Sequence, residues 1–396
     1  MKYDQAIRYL ESFKKFGIRL GLDRVESLLS LLGNPEKSFR SIHIAGTNGK
    51  GSVAAMMSSI LAQAGYKVGL YTSPHLVDYT ERIRINKKNI SKQKFANAVQ
   101  KVKNTIKRLP SLSLTEFEVL TAASFILFAQ ENIDIAVVEV GLGGRLDATN
   151  VITPILSIIT NIDYDHMDVL GRSLKKIAKE KAGIIKPGIP LVTGEKRMLY
   201  VFKEICRELG SRLYTTNGLK INSSPLAGKH QIENTKVAIA GIKALNSMGF
   251  KVSGKDIDKG LKRTRWPGRM QIISKTPFIL CDGAHNPSGA KVLSENMKGY
   301  KKKFSVIIGM QANKDISGFI KQLKCVANRF IVVRSTNPGA APVHLIANEI
   351  KYLKGKAIIA RRPFDALEMA KRYNDPICMT GSLYLLGDAF RQKLFD

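Results

Sequence analysis

A chain of 396 residues is too long for one average domain and suits two, and 44% hydrophobic with 24% charged residues is ordinary for a globular protein. The balance of 63 basic against 32 acidic residues, a net charge of +31, is not ordinary and points to nucleic acid, an anionic surface or acidic small substrates. Yet the lysines are spread throughout, aromatic residues are only 7%, and no aromatic-and-basic stacking platform is present, which sets nucleic-acid binding aside as the main task. The Lys-rich segments around 87–107 and 299–303 read as solvated helix faces or loops. Four cysteines (Cys206, Cys281, Cys325, Cys378) show no redox or metal spacing and read as buried free thiols. MKYDQAIRYL lacks a signal-peptide core, and the apolar run 120–129 is too short to span a bilayer. The expectation is a soluble, cytoplasmic protein with no membrane partner.

Residues 1–40 read as mostly helical, with a glycine-rich break at FGIRLGLDRV that either binds ligand or joins two helices. The rest of the chain is organised around the stretch SIHIAGTNGKGS (41–52). It holds a short apolar strand, then Gly46-Thr47-Asn48-Gly49-Lys50-Gly51-Ser52, and leads into an amphipathic helix predicted over 53–64. Glycines let backbone N–H groups converge, the helix start adds partial positive charge, and Lys50 adds a full one, so a nucleotide triphosphate is expected. The ordinary phosphate-loop pattern would place Ser52 one residue earlier. A second strand (67–72) ends in Ser73-Pro74-His75, where a hydroxyl reaches either a metal and phosphates or merely makes a turn. YTERIRINKKNIS reads as a hairpin or loop, followed by a Lys-rich helix and a buried helix over 114–130.

IDIAVVEV (133–140) is a strand apolar enough to be buried on both faces, yet it carries Glu139 near its C-terminal end. Burying a carboxylate there needs a partner; Mg²⁺ is the natural one beside a phosphate loop, with an ion pair to Arg145 as the competing account. The strand 155–161 ends in an acidic-and-His cluster that includes His166. In the next helix Ser173 is the predicted N-cap, and Leu174, Ile177, Ala178 and Lys181 share one face. Lys181 therefore points inward, where burial would raise its neutral, nucleophilic fraction and permit a carbamate with CO₂; a snorkelling side chain is the alternative. Strands at 189–193 and 211–215 come next, then a helix bearing Asn234. RWPGR (265–269) reads as the linker, and five further strands alternating with helices predict a second, smaller parallel-sheet domain. Its first strand ends in DGAHNP and its last in TGS, polar clusters expected to face the nucleotide across a cleft.

Together these motifs resemble the folylpolyglutamate synthase/dihydrofolate synthase family of the Mur ligase superfamily. The resemblance runs through GLDRV (21–25), HIAGTNGKGS (43–52), TSPHL (72–76), YTERI (79–83), EVGLGGRLDATN (139–150), NIDYDHMDVLG (161–171), EKAGIIK (180–186), HQIEN (230–234), RWPGR (265–269), DGAHNP (282–287) and TGSLY (380–384). It implies an α/β architecture: a phosphate-loop NTPase-like N-terminal domain over 1–268 with a mainly parallel sheet, and a smaller Rossmann-like domain over 269–396. It also implies ATP-dependent ligation of L-glutamate to dihydropteroate or to the γ-carboxylate of folyl-glutamates, or, alternatively, Mur-type ligation of another acid. On the resemblance, Thr47 to Ser52, Asn234, Arg269 and Asp282 contact the nucleotide, and Ser73, Glu139 and His166 hold Mg²⁺. Lys50, Lys181 (carbamylated in the superfamily) and His285 are the catalytic residues. Leu22, Asp23, Arg24 and Leu146 meet the pterin substrate and Ser382 the glutamate. ATP and Mg²⁺, with a monovalent cation such as K⁺, are the implied cofactors, and the expected partners are small molecules acting on a monomer.

Overall fold

The computed structural model describes residues 1–108 and 112–395; the last residue of the expected 269–396 domain lies outside them. The chain forms two compact units: Met1–Pro74 with Asp78–Pro225 and Ile232–Thr264, and His75–Val77 with Leu226–Gln231 and Arg265–Asp396. The change from first to second unit after Thr264 falls at the RWPGR segment. Among the described residues no helix is long and apolar enough to cross a membrane.

The first unit is built on eight strands: β1 (Arg40–Ala45), β2 (Val68–Tyr71), β3 (Ile83–Ile85), β4 (Lys88–Asn89), β5 (Ile135–Glu139), β6 (Leu156–Ile159), β7 (Leu191–Thr193) and β8 (Leu213–Thr215). They lie in the order β4-β3-β2-β5-β1-β6-β7-β8. All neighbouring pairs are parallel except the β3–β4 hairpin and its junction with β2. β1, β2, β5, β6 and β7 are buried almost throughout, as their unbroken apolar runs require of strands covered on both faces. One core gathers Tyr71, Phe95, Phe125 and Phe128; another gathers Ile159, Ile177, Leu191 and Phe202.

One helix departs from expectation. It begins at Lys50 rather than Val53, runs to Gln63, and is buried along its length from Gly51 to Leu61 rather than on one face. The reason is a helix at Gly254–Lys262 laid against it so closely that a Cβ on Gly260 would sit 2.5 Å from the Ile60 Cα. The Ser59 hydroxyl donates to the Gly260 carbonyl, which satisfies the polar side chain inside that contact.

The second unit holds six strands where the sequence predicts five: β9 (Gln271–Lys275), β10 (Phe278–Cys281), β11 (Phe304–Ile308), β12 (Ala327–Val332), β13 (Ala357–Ile359) and β14 (Ile377–Thr380). Their order is β13-β12-β11-β14-β10-β9. The extra strand, β9, is antiparallel to β10 at the sheet edge, and its mixed polar sequence hides it from a search for apolar runs. Cys206, Cys281 and Cys378 are buried and unpaired; Cys325 is exposed, against expectation.

Candidate active site

The register of the first sheet decides which residues meet. Ile44 pairs with Glu139, Tyr71 with Val138, and Ala45 with Ile159, so the C-terminal ends of β2, β5, β1 and β6 lie side by side. The turn after β1 carries Gly46 to Gly49, the end of β5 carries Glu139, and the chain just past β2 carries Ser73. Open parallel sheets bind ligands at this edge.

The loop after β1 is held from below by the chain leaving β6. The Thr47 amide donates to the Asn161 carbonyl (2.9 Å), the Asn48 amide to Asn161 Oδ1 (2.9 Å), and the Thr160 hydroxyl to the Asn48 carbonyl (2.6 Å). Thr47 Oγ1 accepts the Asp163 amide at 3.0 Å. Gly49 adopts the left-handed conformation (φ 83°) at the N-cap of the helix Lys50–Gln63. A side chain there would collide with Asn234, since a Cβ would come within 2.3 Å of its Oδ1. The structure thus brings Asn234 onto the loop. Gly51 and Ser52 lie in the first helical turn and are buried, so Ser52 turns into the protein behind the loop.

Two lysines converge on one carbonyl. Lys50 Nζ donates to the Gly46 and Thr47 carbonyls (3.1 and 3.2 Å), and Lys181 Nζ donates to the same Gly46 carbonyl at 3.0 Å. Lys181 is 4% exposed, which removes the snorkelling alternative. Its helix, Leu174–Ala182, is capped by Ser173 as expected and buries Ile177, Ala178 and Lys181 together. Burial, with the neighbouring charge of Lys50, pulls the Lys181 ammonium down to about 7, against the opposing fields of Asp165 and Asp147.

Glu139 is buried at 5% exposure, and its Oε2 accepts the Ser73 amide at 3.2 Å. Arg145, its alternative ionic partner, instead pairs with Glu180 at 2.9 Å. A carboxylate and a hydroxyl at adjoining strand ends form a hard oxygen set that fits Mg²⁺. Among the described residues no group of three or more His, Cys, Asp or Glu could hold a metal by itself. His166 follows β6 on the same edge, in the left-handed region, with its Nε2 3.8 Å from Asp165 Oδ1.

At the region expected to meet the pterin, Leu22 precedes the helix Asp23–Leu31, Asp23 is exposed, and Leu146 is half-buried. Arg24 is anchored at two points: its Nε donates to the buried Glu118 (2.9 Å) and its Nη2 to the Arg19 carbonyl (2.7 Å). Glu118 also accepts the Thr115 amide and hydroxyl, so one carboxylate ties the 17–24 loop to the helix Glu116–Gln130. Asp147 plays a similar part in the 141–150 loop, accepting from the Leu142 amide (2.7 Å) and from Thr149. Neither carboxylate stands out in the sequence, although Asp147 lies inside EVGLGGRLDATN and Glu118 completes a Thr-x-x-Glu capping box.

In the second unit Asp282, at the end of β10, accepts the Met270 amide (2.8 Å) and the Ala284 amide (2.9 Å). Arg269 lies beside Gly283, where a Cβ would meet its Nη1 at 2.7 Å. His230 joins them: burial lowers its pKa, with Asp282 opposing and Arg269 reinforcing the shift. The HQ pair of HQIEN is the signal in the sequence that points to it. His285 donates from Nδ1 to the Gly283 carbonyl (3.0 Å). Ser382 caps the helix Leu383–Arg391, its Oγ accepting the Leu385 amide at 3.1 Å.

Residues 44–190 match the Mur ligase middle domain, and residues 268–383 match the Mur ligase glutamate ligase domain. The dihydrofolate synthase/folylpolyglutamate synthase of Bacillus subtilis (strain 168) is 33% identical, over 99% of this chain and 99% of its own. The structure of Mycobacterium tuberculosis folylpolyglutamate synthase complexed with ADP and AMPPCP superposes with a TM-score of 0.90 at 30% identity, covering 100% of this chain and 99% of that one. The bifunctional folylpolyglutamate synthase/dihydrofolate synthase of Yersinia pestis complexed with AMPPNP and Mn gives a TM-score of 0.89 at 29% identity, covering 99% and 98%. Nucleotide-loop geometry, two α/β units and end-to-end likeness agree: the chain belongs to the folylpolyglutamate synthase/dihydrofolate synthase family of Mur ligases.

Proposed function

We infer that this chain is an ATP-dependent acid–amino-acid ligase. It joins L-glutamate to dihydropteroate and to the γ-carboxylate of folyl-glutamates, releasing ADP and phosphate. The observation that carries the reading is the pairing of Lys50 and Lys181 on the Gly46 carbonyl, inside a chain alike from end to end with enzymes of that name. We assign nucleotide binding to residues 1–268 and the glutamate-ligase role to residues 269–396, in a cytoplasmic monomer whose cysteines stay unpaired.

A carboxylate is a poor electrophile. In the family's chemistry its oxygen attacks the γ-phosphorus of ATP, ADP departs, and an acyl phosphate results. The amine of glutamate then attacks the acyl carbon, loses a proton, and expels phosphate. The amides of 49–52 and Lys50 would offset charge on the moving phosphoryl group, the Thr47 and Asn48 amides being spent on Asn161. Asn234, Arg269 and Asp282 serve the nucleotide, Leu22, Asp23, Arg24 and Leu146 the acid, and Ser382 the glutamate; His285 takes up the amine's proton. Ser73, Glu139 and His166 would hold Mg²⁺, which when bound neutralises charge shared by the β- and γ-phosphates; K⁺ is the monovalent ion we would add. Lys181, largely buried and half-neutral near pH 7, is suited to add CO₂ and lose a proton, giving a carbamate.

The test is direct. Purified protein receives ATP, Mg²⁺ and glutamate with dihydropteroate or tetrahydrofolate, and products are weighed by mass spectrometry. Addition of one glutamyl residue to both acids supports a bifunctional enzyme. If neither acid stimulates ADP release while a nucleotide-linked acid does, the folate reading is lost.

A further inference from the structure

The C-terminal edge of the second sheet carries two hydrogen-bond donors that have no partner among the described residues. Ser335 Oγ and Gln311 Nε2 are both buried without a partner. Their positions are related by register: Ile308 pairs with Val332, Gln311 lies three residues past the first, and Ser335 three past the second. Ser382 belongs to the same edge, two residues past Thr380, which pairs with Ile308.

The surrounding loop is otherwise closely bonded. The Thr336 amide and hydroxyl both donate to Asp388 at 2.6 Å, the Gly339 amide to Asn337 Oδ1 at 2.9 Å, and the Ala341 amide to the Met310 carbonyl at 2.8 Å. The Ala312 amide donates to the Gly339 carbonyl at 2.9 Å. Ser335 is only 5% exposed within this frame. Buried donors without acceptors are costly, and an acceptor supplied by a ligand would satisfy both.

We propose that Ser335 and Gln311 donate to a carboxylate of the incoming amino acid and set the enzyme's preference for a dicarboxylic substrate. An ionised carboxylate accepts several hydrogen bonds and donates none, which suits two donors that lack an acceptor. The proposal rests on the glutamate-ligase reading and adds two binding residues to it.

Steady-state kinetics of wild type, the double variant Ser335→Ala/Gln311→Leu, and Gln311→Glu test it, each with its melting temperature measured. The wild type alone tests the parent reading: without glutamate-dependent product there, that reading fails whatever the variants do. Given wild-type ligation, the double variant should raise KM for glutamate roughly ten- to hundred-fold, as expected for lost hydrogen bonds to a charged group. KM for ATP should stay within about twofold, and preference for glutamate over glutamine should fall in step. Gln311→Glu keeps the shape but opposes a carboxylate, so it should raise KM for glutamate even if the double variant does not fold. An unchanged glutamate KM in a folded variant, or in Gln311→Glu, overturns the proposal.

Discussion

Replacing Gly46 by alanine perturbs the phosphate loop at its most constrained point. Gly46 has φ 146°, a region open to glycine but strained for other residues. Holding alanine there costs about 1–3 kcal/mol. Its Cβ would lie 1.8 Å from Thr160 Oγ1 and 3.2 Å from the Thr160 backbone nitrogen. The hydroxyl can rotate away, but only by giving up its bond to the Asn48 carbonyl, about 1 kcal/mol more. The total, about 2–4 kcal/mol, corresponds to roughly 4–16 °C in the melting temperature of a unit this size. Gly65→Ala is the internal control: φ is 95°, yet no atom lies within 4 Å of the added Cβ. It should cost about 1 kcal/mol and roughly 2–4 °C from backbone strain alone. Because Lys50 and Lys181 both bond the Gly46 carbonyl, a shifted Gly46 should also raise KM for ATP at least tenfold, roughly the cost of one or two charge-assisted hydrogen bonds, whereas Gly65→Ala should not. Differential scanning calorimetry and ATP titrations decide the matter. A Gly46→Ala protein as stable as Gly65→Ala, with unaltered ATP kinetics, would refute the steric argument.

Lys181→Ala should nearly abolish ligation, with partial rescue by a short carboxylic acid supplying the lost negative charge; ¹³C-bicarbonate NMR of the wild type should show a carbamate signal, and its absence with saturating bicarbonate counts against the modification. Glu139→Ala should lose Mg²⁺-dependent turnover by about a hundredfold or more, measured as ADP release across a Mg²⁺ titration; full activity would remove Glu139 from the metal site. His43, fully buried and held through Nε2 to Thr149 Oγ1 (2.8 Å), is pushed down to about 3 by burial, with Lys186 adding to the shift. Its folded pKa lies below the unfolded value, so its share of stability is complete above about 6.5 and is lost as pH falls toward 3. The slope approaches about 1.4 kcal/mol per pH unit inside that window. Denaturant titrations at pH 4.5 and 7.5 should show His43→Asn losing less stability on acidification than wild type; equal losses would mean that His43 is not buried neutral.

The parts of this molecule that are legible in its sequence are those whose cause is local. Strands β1, β5 and β6 announce themselves because a strand covered on both faces must be apolar at every position. The spacing of Leu174, Ile177 and Ala178 turns Lys181 inward, and it is buried. What escapes depends on partners far along the chain. The helix Lys50–Gln63 reads as amphipathic, yet the helix Gly254–Lys262 packs against it and accepts a hydrogen bond from Ser59. The anchor of Arg24 escapes in the same way, because its carboxylate partner, Glu118, is 94 residues away.

The same distinction separates the two carboxylate-related features at the sheet edges. Glu139 is conspicuous because a charge in an apolar strand is anomalous on its face. Ser335 and Gln311 are not, because serine and glutamine in a loop are ordinary until the fold buries them. Their donors become anomalous only in the folded loop, which Thr336 on Asp388 and Ala341 on Met310 hold closed. A pocket of that kind is specified by what the tertiary structure withholds from a side chain rather than by the residue itself. Changing Asp388 to Asn should therefore disturb glutamate binding without touching a substrate atom, since the Thr336 hydrogen bonds that close the loop would weaken. Measured at saturating ATP, that variant should raise KM for glutamate by a smaller factor than Ser335→Ala/Gln311→Leu and leave kcat nearly unchanged. A fall in kcat with KM intact would place Asp388 in a different role and separate the loop from amino-acid recognition.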